Sequence, residues 1–106
     1  MTAEIVAFAG PPTVTADLPI VDVVFIQEWN IEADENPGAP EWGDWEAMAE
    51  YLAQWDYGDE TDAAHTVDYW QGGTYDDTYQ VRVGGLTYWL NVEWGLRYAG
   101  LTRRPL

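Results

Sequence analysis

The sequence predicts an α+β domain, with one amphipathic helix packed on a mostly antiparallel sheet of about four strands. Three observations predict it. The segment PEWGDWEAMAEYLAQW, residues 40–55, places Trp42, Trp45, Met48, Ala49, Leu52 and Trp55 at the i, i+3, i+4, i+7 spacing of a helix buried along one stripe. Residues 20–29, 64–70, 74–83 and 86–94 are rich in β-branched and aromatic side chains, and turn formers bound them. Gly84-Gly85 leaves a two-residue loop between Val83 and Leu86, the mark of a tight hairpin.

Residues 1–18 carry Gly10-Pro11-Pro12 and no sustained periodicity, so they read as a flexible or extended arm ahead of a single domain spanning 19–106. Residues 20–29 (IVDVVFIQEW) form the first strand, entered from Pro19 and apolar on both faces, which suggests cover on both sides. Residues 30–39 read as a loop turning at Asn36-Pro37-Gly38. Pro40 suits the first position of the helix, where its missing N–H is no loss. The Gly84-Gly85 hairpin sets Val81 across from Tyr88 and Tyr79 across from Leu90. Gly72-Gly73 fits less simply. A three-residue loop, Gln71-Gly72-Gly73, keeps Tyr69 and Val67 on the face of Tyr79 but puts Asp77 on that apolar face. Residues 95–106 hold three of the four arginines, a basic tail expected either to fold back on the acidic body or to pair subunits as a homodimer.

The chain has 106 residues and a formal charge of -15, yet 47% of its residues are hydrophobic, which sets it apart from disordered acidic chains. Seven Trp and seven Tyr supply the core, each ring burying ~150–250 Å² when packed. Cys, Ser and Lys are missing and His65 is the only histidine. That inventory excludes disulfides, thiolate metal sites, Ser and Cys nucleophiles, Schiff-base lysines and multi-histidine zinc sites. No basic leader and no membrane-length apolar run is visible, so a soluble, cytoplasmic protein is expected.

Function must therefore be argued from charge. Between Glu28 and Asp62 lie twelve carboxylates and no Lys or Arg. Glu41 and Asp44 suit the positive end of the helix dipole, but Glu46 and Glu50 repel each other one turn apart. Asp56, Asp59, Glu60 and Asp62 crowd the dipole's negative end. Glu32, Asp34, Glu35, Asp44, Glu46, Glu50, Asp56, Asp59, Glu60 and Asp62 are the candidate partner-binding residues, with Trp89 as the candidate exposed aromatic. Carboxylates fixed on a helix and its flanks present to a basic groove the field that phosphates present.

In size, acidity, missing Lys and Cys and α/β character, the chain resembles the small DNA-mimicking proteins that phages and mobile elements use against CRISPR and restriction systems. The resemblance carries no family motif and no site residues. It implies a non-enzymatic inhibitor, acting in the bacterial host cell, that occupies the nucleic-acid-binding groove of a defence complex. It implies no cofactor, no direct nucleic-acid binding and no membrane.

The alternative is a small phage structural or assembly protein, or a sugar-binding module, with no mimicry. Asp76 and Glu93 face each other across the hairpin and form the one carboxylate pair of glycosidase type; a water-facing pair at a sheet end is the plainer account. Residues 56–62 superficially suggest a calcium loop, but Gly58, Glu60 and Thr61 fall where an EF-hand needs its ligands at positions three and five and its Gly at six. His65 reads as a structural strand residue and Trp89 as packing under the arm or the tail.

Overall fold

The computed structural model describes residues 20–57 and 66–106. A short 3-10 turn, Ile20–Asp22, leads into β1 (Val23–Glu28), followed by α1 (Trp29–Glu35), α2 (Trp45–Tyr57), β2 (Thr66–Trp70), β3 (Asp77–Val83), β4 (Leu86–Glu93) and β5 (Tyr98–Thr102). The five strands form one antiparallel sheet in the order β1-β5-β4-β3-β2. The class is α+β, as expected, with one more strand and one more helix than the sequence reading assigned.

Strands β2 to β5 run as a meander, and β1 adds beside β5, so β1 and β2 are the two edges. Crossing four inter-strand gaps takes ~19 Å. The 13 residues of α2 span about 20 Å at ~1.5 Å each. The helix contacts both edge strands, β1 and β2, as well as β3 and β5. Met48, Ala49, Leu52 and Ala53 are fully buried against Val81, Val83, Tyr88, Leu90, Val92, Ala99 and Leu101. Each large aliphatic side chain buried this way contributes about 1.5–3 kcal/mol. The buried stripe is rotated toward Ala53, which leaves Trp55 on its margin, half in water and packed on Phe25 and Tyr51.

The helix starts later than Pro40. Gly43 adopts φ +104, which breaks a helix run, and Asp44 becomes the cap. Its Oδ1 accepts from the Ala47 N–H at 3.3 Å and its carbonyl from the Met48 N–H at 2.8 Å. Residues 29–35, expected as strand end and loop, form α1, which buries Trp29 and Glu32 one turn apart. The first strand, expected to be covered on both sides, is an edge and is half-buried throughout.

The basic tail contains β5, paired on both sides and wholly buried. A Cβ at Gly100 would lie 3.1 Å from Ile26 Cγ1, so glycine lets the neighbouring strand's side chain lie across it. Beyond β5 the tail folds back: Arg103 pairs with Asp56 and Arg104 with Asp22, the latter at 2.7 Å.

The β3–β4 register is as expected, with Val81 opposite Tyr88 and Tyr79 opposite Leu90. Tyr69 and Val67 do share the face of Tyr79, but β2 pairs four residues further along β3 than a three-residue loop allows. Residues 71–76 instead fold over the face away from α2. There a Cβ at Gly73 would collide with Thr78, and Tyr75 is buried beside Glu93 and Tyr98. Asp77 opposes Val92 but lies past the end of β2, which removes its conflict with Val67. Under this loop runs a buried polar ladder. Thr78 Oγ1 donates to Asn91 Oδ1 at 3.1 Å, and Asn91 Nδ2 donates to the Gly100 carbonyl at 3.0 Å and to Thr102 Oγ1 at 3.2 Å.

Candidate functional site

The candidate carboxylates separate into those the fold uses and those it leaves in water. Glu32 belongs to the first group and corrects the expectation of a surface charge: it is 3% exposed. Its inward turn of α1 brings it donors from Gln27 Nε2 at 3.3 Å, Asn36 Nδ2 at 2.8 Å and the Tyr51 hydroxyl at 2.6 Å. Burial, and then this carboxylate, push the Tyr51 phenol well above its ordinary range. Asp56 is also corrected. Arg103 and the Tyr88 hydroxyl, the latter at 2.7 Å, both bond it. The guanidinium holds its carboxyl below the usual carboxylate range, with Tyr88 adding to the effect and burial opposing it. The negative charge at the C-terminal end of α2 is thus compensated from 47 residues away.

The second group is exposed or partly so. Asp34 and Glu35 close α1, Glu41 sits in the turn, and Asp44 and Glu46 open α2; all are exposed, and Glu50 is half-buried one turn beyond Glu46. Residues 34–50 contain no Lys or Arg. These side chains all belong to the helical layer, on one side of the sheet. Asp59, Glu60 and Asp62, most of the suggested calcium loop, and His65 lie outside the described residues.

Trp89 does not join them. Its register, opposite Gln80 and Thr102, puts it on the sheet face away from α2. There it packs edge-on against Trp70 at 5.9 Å, with its indole N–H buried and without a hydrogen-bond partner. Trp89 is therefore half-buried in packing rather than offered as an exposed contact, and its ring partner is Trp70 where the arm or the tail was expected. The exposed aromatics on the helix side are Trp55, Tyr69 and Trp94, the last 48% exposed and set against Trp42 and Trp45. Trp94 follows the last residue of β4, Glu93, in alternation with the buried Leu90 and Val92.

Asp76 and Glu93 each accept a hydrogen bond from turn backbone. Asp76 Oδ2 accepts from the Trp94 N–H at 2.9 Å, and Glu93 Oε1 from the Leu96 N–H at 3.3 Å. A cleft of about 430 Å³ opens between α1 and the turn before α2, walled by Trp29, Ala33, Pro40 and Trp42, with Glu41 and Arg97 also lining it. Arg97 holds φ +57, a left-handed conformation that Gly or Asn would adopt at less cost. Among the described residues no group of three or more His, Cys, Asp or Glu is placed to hold a metal ion, and no helix is long and apolar enough to cross a membrane.

What these elements define is an antiparallel α+β domain whose helical layer exposes Asp34, Glu35, Glu41, Asp44 and Glu46, while Asp68 and Asp76 are exposed on the sheet and its loop. Comparison with protein-family models, with curated protein sequences and with solved structures returns no match for the chain.

Proposed function

We propose that the chain is a non-enzymatic inhibitor whose acidic helical layer occupies the DNA- or RNA-binding groove of a basic protein, such as a CRISPR effector or a restriction enzyme. One observation carries the reading: Asp34, Glu35, Glu41, Asp44, Glu46 and Glu50 lie in one stretch without Lys or Arg, while Arg103 and Arg104 are committed to Asp56 and Asp22. Five of these six carboxylates are exposed and the sixth, Glu50, is half-buried, so the layer keeps a negative face toward solvent. Glu46 and Glu50 stand ~6 Å apart along the α2 axis, a like-charge neighbour pair that costs a few tenths of a kcal/mol. Such a surface raises association rate through long-range attraction, and its affinity falls steeply with salt.

The test is capture of partners from nuclease-treated bacterial lysate at low and high salt, with and without competing duplex DNA. A nucleic-acid-binding protein should be retained at low salt, released by salt or DNA, and lost with the doubly substituted Glu46→Lys, Glu50→Lys chain. A partner indifferent to salt and DNA would replace this reading with that of an assembly module.

A further inference from the structure

We infer that Trp94 is the docking point for a cationic side chain of the basic partner, an arginine guanidinium in preference to a lysine ammonium. The inference rests on the reading above and adds the contact that orients the complex. Trp94 is 48% exposed, yet it is fixed from four directions. Its backbone N–H donates to Asp76 Oδ2 at 2.9 Å and its indole N–H to Asp77 Oδ2 at 2.6 Å. Trp42 and Trp45 meet it edge-to-face at 5.7 and 5.5 Å. Ordering a side chain that stays in water costs conformational entropy and recovers little burial. Rigid, half-exposed indoles are what interfaces use as anchors, because the ordering is complete before the partner arrives.

The surroundings select the charge of the occupant. An indole N–H bonded to a carboxylate leaves more electron density on the ring and strengthens its attraction for a cation over its face. Asp76 and Asp77 add direct attraction beside the ring, and both are presented by the chain entering β3. Arg97, three residues on, lines the neighbouring cleft with Trp29 and Trp42. Two carboxylates at the ring outweigh the single Arg97 guanidinium in the neighbouring cleft and favour a cation over an anion, and a neutral apolar group would leave the carboxylates unused. Guanidinium is favoured over ammonium because its plane stacks on the ring while its N–H groups reach a carboxylate.

Nona-arginine and nona-lysine peptides serve as probes, read by calorimetry and by the indole N–H resonances in NMR spectra. Nona-arginine should shift the Trp94 indole signal, and Trp94→Leu should weaken its binding about fivefold. Nona-lysine should lose less, and the salt dependence should stay unchanged. Asp77→Asn, which keeps both the ring and an acceptor for its N–H, should weaken nona-arginine about twofold; this variant retains the fold if Trp94→Leu does not. Peptide binding that moves the amides of Glu46 and Glu50 but leaves the Trp94 signal still, with Asp77→Asn silent, overturns the inference and leaves the acidic-layer reading standing. A Trp94 shift whose salt dependence is unmoved by Glu46→Gln with Glu50→Gln keeps the docking point and overturns the acidic layer. A Trp94 signal that answers a neutral oligosaccharide and neither peptide assigns the ring to a sugar and overturns the inference.

Discussion

The two ends of α2 handle negative charge in opposite ways. At the C-terminal end, where the helix dipole makes a carboxylate unwelcome, Asp56 is bonded by Arg103 and by the Tyr88 hydroxyl. At the N-terminal end, Asp44 caps the helix with one oxygen, and Glu41 and Glu46 stay exposed around it. The fold thus places Arg103, one of its four arginines, where an unpaired acid would oppose the helix dipole. Glu41, Asp44 and Glu46 sit beside the dipole end that favours them.

The largest expected effect that would sharpen this comparison lies in α1. Glu32→Ala removes a buried acceptor of three hydrogen bonds and should cost about 2–3 kcal/mol in denaturant unfolding, since Tyr51 and Asn36 lose a charged acceptor. A loss under ~0.5 kcal/mol would place Glu32 with the solvated acids.

Asp56→Ala comes next, at about 1–2 kcal/mol near neutral pH. The folded state holds the Asp56 carboxyl below its unfolded value, so its contribution is present above that value, ~3.9, and is lost as pH falls through the depressed folded value. The stability difference between the parent chain and Asp56→Ala should therefore be constant from about pH 5 to 7 and shrink below about 4. A difference that grows on acidification would break the comparison. The smallest effect belongs to Glu50→Lys, which replaces repulsion by an attractive i, i+4 pair with Glu46 and should raise stability by about 0.3–0.5 kcal/mol. A loss exceeding ~1 kcal/mol would show that Glu50 is built into the fold.

How much of this could be read in advance follows the range of each interaction. The β3–β4 hairpin was legible because Gly84-Gly85 fixes loop length locally and the alternation of Tyr79, Val81 and Val83 then fixes the register. The first helix was hidden because its inward stripe carries Glu32, so the periodicity looked polar. The fifth strand was hidden because Ala99 and Gly100 are poor strand formers whose place is decided by Ile26 lying across the glycine. Pro40 is a sound helix-start signal, but Asp44 three residues ahead of Ala47 was the one used, since Gly43 turns the chain between them. For the site, excess acid was visible as composition, whereas the pairing of Asp56 with Arg103 and the loss of Glu32 to the interior needed tertiary structure.

The position of β5 has a consequence for how the molecule assembles. The meander β2 to β5 joins neighbours in sequence and can form early, but β1 reaches β5 only by closing a loop from Glu28 to Tyr98, seventy positions apart. Until it does, the apolar strand Tyr98–Thr102 is a bare edge, open to the same strand of another molecule. A formal charge of -15 on every chain keeps such half-formed molecules apart during that interval. The same acidity opposes association of two copies through that edge.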